Sequence, residues 1–395
     1  MTPQSSAVEQ SAPLVALVSF ANMFSVGTVY ALSALQAELS RLLDTSHDWS
    51  CVPFASACLG LSIGVASCAA VMTKVGARTT AAAGTGLWGL AVAGTGISLA
   101  RTDLMSLLAC LTVGGIGVGW TYLAVVVLVG QAFPQHCRLR SAIGPLGFSS
   151  GSAVCFASVL ILDAESLDAE SLGRLLELVG VAFCVVGATT QAVLPTDKER
   201  CKPGNAERCQ PKPSAVAFED FLLFFNALPG MVVFSTLWRA ASYHGQAFAG
   251  DALRVLPCFM VTLALGGFMA PVLAARPGPR LTFLALFYIR GASLLAFSQW
   301  PGLLTAAAAL SVVLFGHGAG FGILPGLIKA KEPEPARFRV RYGRTLVAWG
   351  AGGIVSVVIT RLLVSSSGDA SSASFVTGLL VLSFAVYLQS ANVLQ

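Results

Sequence analysis

Two ionisable residues lie deep inside apolar stretches of this 395-residue chain. Arg290 is near the middle of Leu281–Trp300, and His317 stands between Gly316 and Gly318 in Leu303–Ile328. A charge at the centre of a membrane-spanning helix costs at least about 2.5–3.5 kcal/mol, so it is retained for a reason. A guanidinium there can pair with a substrate carboxylate, or it can hydrogen-bond carbonyls of a neighbouring helix. An imidazole can donate to an anion or take a proton during symport, or it can sit neutral in a Gly-rich helix. Tyr30, Trp120, Tyr122, Asn226 and Trp349 lie at similar depth, and the rings combine one polar atom with an apolar wall. Asn226 precedes Pro229 by three residues, where the missing N–H frees a backbone carbonyl. These seven residues are the candidate substrate-binding set.

Nothing in the chain reads as catalytic machinery. There is no His-Glu-x-x-His, no pair of intramembrane Asp residues and no credible triad. Gly84-Thr85-Gly86-Leu87-Trp88-Gly89 fits a dinucleotide fingerprint, but it lies in an apolar run with no preceding strand. Gly147-Phe148-Ser149-Ser150-Gly151 fits a nucleophile elbow, but no span core supplies a carboxylate partner. The ten cysteines show no metal-ligand spacing and read as small, polarizable packing residues. The expectation is a protein that is not an enzyme, with no cofactor and no metal.

The elements that position these residues follow from composition. Hydrophobic residues make up 55% and charged residues 11%, against roughly 25% charged in a soluble domain. Lipid must cover that much apolar surface. The net charge of +5 is therefore a matter of loops and not a nucleic-acid signal. A helix needs about 20 apolar residues to cross the hydrocarbon. Twelve runs qualify: Leu14–Leu35, Val52–Met72, Thr80–Ala100, Met105–Gln131, Ala142–Leu162, Arg174–Leu194, Glu219–Ala240, Leu253–Ala274, Leu281–Trp300, Leu303–Ile328, Gly343–Val364 and Ser374–Leu394. They are continuous, not alternating, so they are helices and not barrel strands. The fold class is an all-α polytopic membrane protein.

Polarity divides the chain further. Residues 1–12 form a short N-terminal segment with no Lys or Arg, and it reads as neither a cleavable signal nor a transit peptide. Residues 13–194 hold the first six spans, 195–218 a basic, proline-rich linker, and 219–395 the last six. Lys and Arg concentrate after the even-numbered spans: Lys74 and Arg78; Arg138 and Arg140; the linker; Arg276 and Arg280; and Lys329 through Arg344. The positive-inside rule then puts both termini in the cytoplasm. The acidic stretch with Asp163, Glu165, Asp168 and Glu170 faces the other side. Which membrane holds the protein is left open.

An internal repeat underlies the division. Lys74-Val75-Gly76-Ala77-Arg78 follows the second span and Arg276-Pro277-Gly278-Pro279-Arg280 the eighth, at an offset of 276 − 74 = 202 residues. Gly115, Gly117 and Gly119 precede Trp120, and Gly316, Gly318 and Gly320 precede Phe321, at 316 − 115 = 201. Two pseudo-symmetric six-helix bundles follow, a build common among secondary transporters. The pairs Gly60/Gly64, Gly115/Gly119 and Gly316/Gly320 permit the close helix contact that rocking requires.

Twelve spans, a basic central linker and the repeated loop resemble the major facilitator superfamily. Lys74, Gly76 and Arg78 keep part of its loop pattern, while Ala69 and Thr73 replace its first Gly and its Asp; Pro271 and Ala275 do so in the second copy. The resemblance implies that Lys74, Gly76, Arg78, Arg276, Gly278 and Arg280 form conformational loops. Gly27–Ser33, Asn226–Gly230 and Tyr342–Gly350 resemble the oxalate/formate antiporter-like branch, related to monocarboxylate transporters. In that branch an Arg in span eight and a Lys in span eleven bind a dianion. Here Gly267 and Trp349 stand in their places, so the resemblance implies a monoanion such as pyruvate or lactate, carried with a proton or by exchange. It also implies a span nine outside the cavity and a span ten lining it. The expected partners are a small organic anion, protons and the lipid bilayer, with a monomeric protein and no nucleic acid. The competing expectation is a non-transporting membrane receptor or sensor on the same fold.

Overall fold

Apolar runs interrupted by glycine and proline become twelve long helices in the computed structural model, which describes residues 3–45, 49–162, 167–194, 217–243, 246–300, 302–364 and 370–390. They are α1 (Pro3–Gly27), α2 (Val52–Val75), α3 (Ala77–Ala100), α4 (Leu104–Ala132), α5 (Cys137–Ile161), α6 (Ala169–Val193), α7 (Phe218–Tyr243), α8 (Gln246–Ala275), α9 (Gly278–Gln299), α10 (Leu303–Lys331), α11 (Pro335–Ile359) and α12 (Ala370–Ser390). Each holds a stretch long and apolar enough to span a bilayer. Linker residues 195–216, and Asp163 and Glu165 of the acidic stretch, lie outside the described residues.

Some boundaries differ from the sequence reading. α1 starts at Pro3, inside the segment read as a terminal tail. α11 starts at Pro335, eight residues before Gly343, and so takes in arginines read as loop. The reason is local. Proline at the first helical position loses only an N–H that has no partner there, and Glu334 stands just before it in extended geometry. Pro145 does not end α5, which runs through it.

Packing repeats between the halves. α1 packs on α5, α2 on α4 and α3 on α6; α7 on α11, α8 on α10 and α9 on α12. The halves meet through α2 against α11 and α5 against α8, pairs that the pseudo-symmetry exchanges. The loop copies share a positive φ at their glycine: Gly76 has φ 86° and Gly278 φ 81°, a region that favours glycine. Thr80 and Thr282 donate to the carbonyls of Gly76 and Gly278 at 2.7 and 2.8 Å. Arg78 donates to the Leu194 carbonyl at 2.7 Å, joining the loop to the end of α6.

The glycine repeat pairs differently from its letters. Gly117 faces Gly84 and Trp88 of α3, and Gly316 faces Arg290 of α9. Gly119 faces Leu61 and Val65 of α2, and Gly318 faces Leu263 of α8. The structural offset is thus 316 − 117 = 199, two less than matching the motif letter by letter. The two false motifs also find their explanation here. Gly89 packs against Gly180 of α6, and Gly84 against α4. Ser149 Oγ donates to the carbonyl of Pro145, one turn back in its own helix, at 2.6 Å.

Candidate substrate site

α1 changes character where it reaches the middle of the molecule. Gly27, the β-branched Thr28 and Val29, and Tyr30 are mediocre helix formers. Thr28 Oγ1 donates to the Ser25 carbonyl at 2.7 Å and Ser33 Oγ to the Tyr30 carbonyl at 2.6 Å, offering the backbone alternative partners. The chain tightens to a 3₁₀ stretch over Thr28–Ser33, with Tyr30 buried within it.

Tyr30 meets the other half there. Its hydroxyl lies 3.0 Å from His317 Nε2 of α10 and accepts from Trp349 Nε1 of α11 at 3.0 Å. Its ring stacks on Phe234 of α7 at 4.3 Å between centroids and meets Phe148 of α5 edge-on at 4.9 Å. Trp349 is boxed by Tyr122 at 5.0 Å, Phe321 at 5.1 Å and Phe148 at 5.6 Å. Glycines permit this convergence. Gly343 and Gly350, seven residues apart on α11, press against Val65, Cys58 and Ser62 of α2. Gly230 of α7 lies under the imidazole, where a Cβ would come within 2.5 Å of His317 Nδ1.

A small void of about 20 Å³, lined by Tyr30, Tyr122, His317 and Trp349 among others, lies within the box. That is space for about one water. Tyr122, Pro145 and Phe321 also line a larger cavity of about 690 Å³, whose walls include Val125–Val129, Pro271, Pro325 and Phe338. This cavity opens among the ends of α4, α6, α8 and α10 and the starts of α5, α9 and α11, the side that carries the basic loops. On the opposite side, contacts among the described residues run between the halves. Gln36 Nε2 donates to the Phe234 carbonyl at 3.4 Å, and Arg361 lies 5.4 Å from the Trp49 ring centroid.

Arg290 stands behind this box. It is fully buried and does not line either cavity. Its two terminal nitrogens donate to Asn226 Oδ1 at 3.0 Å and to the Asn226 carbonyl at 2.8 Å. Asn226 Nδ2 in turn donates to the His317 carbonyl at 3.1 Å. Gly316 leaves room for the Arg290 side chain and Gly320 for that of Asn226. The first half has a counterpart: Trp88 of α3 donates Nε1 to the Ser25 carbonyl at 2.9 Å and to Thr28 Oγ1 at 3.0 Å in α1. In each half a large donor on the third helix braces the first helix.

Of the seven candidates, the structure brings Tyr30, Tyr122, His317 and Trp349 into the box and places Asn226 and Arg290 behind it. Trp120 points elsewhere, donating to Ser67 Oγ of α2 at 3.0 Å. Sequence reasoning missed Phe148, Phe234 and Phe321, because single phenylalanines among 23 carry no signal. It also missed Glu219, buried at the start of α7, which accepts from Lys331 at 2.5 Å and Arg341 at 2.6 Å and ties α7 to α10 and α11. Among the described residues, no group of His, Cys, Asp and Glu could hold a metal ion.

The arrangement of helices is that of known transporters. A structure of the proton:xylose symporter XylE bound to 6-bromo-6-deoxy-D-glucose matches with a TM-score of 0.72 and 14% identity, over 96% of this chain and 95% of that one. The partially occluded inward-open form of the E. coli xylose transporter XylE matches at 0.67 and 16%, over 96% and 98%. The E. coli fucose:proton symporter FucP matches at 0.62 and 15%, over 95% and 98%. No protein-family model matches the sequence, and no curated protein sequence does. The chain has the major facilitator fold, with twelve membrane-spanning helices in two pseudo-symmetric bundles of six.

Proposed function

We propose that this protein is a secondary transporter that moves a small organic monoanion, such as pyruvate or lactate, by alternating access with proton coupling or exchange. The observation that carries it is the polar bridge Trp349–Tyr30–His317. It joins the two halves at the end of a cavity that opens on the side of the basic loops. A site at the junction of two rocking bundles is where alternating access needs its ligand. Tyr30, Tyr122, His317 and Trp349 are the contact residues in this reading. Asn226 and Arg290 position α10, and the two glycine loops at Gly76 and Gly278 turn with the bundles. By the distribution of Lys and Arg, the open side is cytoplasmic. Symport with protons is also what the names of the similar sugar transporters state.

One observation favours a second solute class. At the end of the larger cavity the box presents two phenols, an indole and an imidazole with no fixed charge, a donor set that suits a neutral hydroxylated solute such as a sugar. Uptake of labelled pyruvate and of D-xylose into proteoliposomes, with and without a proton gradient, separates the two. Binding of either without flux would favour the receptor reading.

The proton assignment has its own test. His317→Gln keeps a neutral hydrogen-bonding side chain and removes titration. Counterflow at equal pH is expected to persist while pH-driven accumulation fails, both normalised to folded protein. A wild-type ratio of the two rates would refute the role of His317.

A further inference from the structure

The walls of the 690 Å³ cavity hold three charged side chains, Arg140, Lys329 and Arg339, and all three are cationic. Arg339 differs from the other arginines at the start of α11. Arg337 pairs with Glu334 at 3.0 Å, and Arg341 pairs with Glu219 at 2.6 Å. Both therefore have their charge answered within the protein. Arg339 is 9% exposed, and no hydrogen bond or ion pair to it occurs among the described residues. On the cavity side its guanidinium is met by water alone, which an entering anion can displace. A group kept in that condition on a cavity wall is matched to something that enters the cavity.

We propose that Arg339 is the charge that selects an anion, a small carboxylate, at the open end of the translocation path, with Arg140 and Lys329 raising the local potential. The proposal rests on the transporter reading of this cavity and supplies the fixed positive charge that the Tyr30–His317–Trp349 box lacks. Arg290 does not supply it, since it is fully buried behind the box and lines neither cavity. The walls at Val125–Val129 and Phe338 offer apolar surface to a short carbon chain beside that charge. A guanidinium also presents its donors as a planar fork that fits a carboxylate.

The test compares pyruvate and lactate as anionic probes with D-xylose as a neutral one, on the purified full chain. Binding is measured by calorimetry and flux in proteoliposomes. Arg339→Gln is expected to weaken pyruvate and lactate binding by about tenfold to a hundredfold, the scale of a charged hydrogen bond. Arg339→Lys should fall between wild type and Arg339→Gln, because it keeps the charge and loses the planar fork. Arg337→Gln, at a paired and exposed site on the same helix, should change nothing. The ligand-free melting temperature of Arg339→Gln should stay level, since no ion pair within the described residues is lost. A fall in melting temperature with unchanged affinity makes Arg339 structural and overturns the inference. Equal loss in Arg337→Gln overturns it as well, as does wild-type protein that binds neither carboxylate. Transport of xylose without pyruvate or lactate keeps the transporter reading and sinks the anion site. Arg339-dependent binding without flux keeps the anion site and sinks the transporter reading.

Discussion

Replacing Tyr30 by Phe removes one oxygen and leaves the ring on Phe234. That oxygen makes two bonds across the halves, to Trp349 and to His317, each at 3.0 Å. A net hydrogen bond contributes about 1 kcal/mol, so about 2 kcal/mol of inter-half stabilisation is lost. Trp349 is 1% exposed, and its indole N–H is left without an acceptor. Leaving that donor buried and unsatisfied sets the cost of the Trp349 bond at about 1–3 kcal/mol in place of about 1. The state seen here should therefore fall by about 2–4 kcal/mol against any state in which the bridge is already open. That is a shift of about 30- to 700-fold. A protein starting at about 95:5 in favour of this state would move to about 40:60 at the lower figure.

The shift is measurable without a known solute. Met105 and Leu304 are exposed at the ends of α4 and α10 opposite the basic loops, one in each half. Spin labels at these two positions, with exposed cysteines such as Cys137 replaced by Ser, report separation by double electron–electron resonance. Tyr30→Phe should move amplitude toward longer distances. An unchanged distribution would mean that the bridge persists in both states or contributes nothing to either, and the proposed role of Tyr30 at the moving junction would be wrong.

Two further outcomes concern the frame around the site. Arg290→Met should lower the melting temperature by several degrees, corresponding to about 2–3 kcal/mol for the bonds lost at Asn226, while carboxylate affinity changes less than threefold. A large affinity loss at unchanged stability would return Arg290 to the binding set. At the other boundary, the Asp168 side chain accepts from the Ser171 N–H at 2.7 Å at the start of α6, and this bond holds its carboxyl below the usual range. A depressed pKa stabilises the fold above the unfolded value, near pH 4, and that contribution fades as pH falls through the folded value. Asp168→Asn should accordingly flatten the decline in melting temperature below pH 4; an identical decline in both proteins would remove the cap from the account.

The helices were legible because the bilayer imposes a length that apolar runs display directly. The loop repeat was legible for a similar reason: Gly76 and Gly278 occupy a backbone region that favours glycine, so the letter records the geometry. The glycines of α4 and α10 were misread by two positions. Glycine marks close approach without saying which helix approaches, and Gly117 and Gly316 share a neighbour only in three dimensions. The aromatic box was half legible. Tyr30, Tyr122, His317 and Trp349 announce themselves by a polar atom in an apolar run, whereas Phe148, Phe234 and Phe321 do not.

The two arginines show why depth in the sequence is an incomplete guide to chemistry. Arg290 sits mid-span and reads as the site's charge, yet Asn226 occupies both terminal nitrogens and Gly316 makes the room for it. Trp88, which carries no charge, braces α1 at the corresponding place in the first half. What that position requires is a long donor, and a guanidinium is one way to supply it. Arg339 reads as one more loop cation that sets topology, because six Lys and Arg crowd Lys329–Arg344. The start of α11 at Pro335 lifts it onto the cavity wall, and Glu219 and Glu334 engage its neighbours and not it. Whether a membrane charge serves structure or ligand is thus decided by whether it faces a cavity, as Arg339 does and Arg290 does not, and only the folded packing of α7, α9 and α11 reveals that.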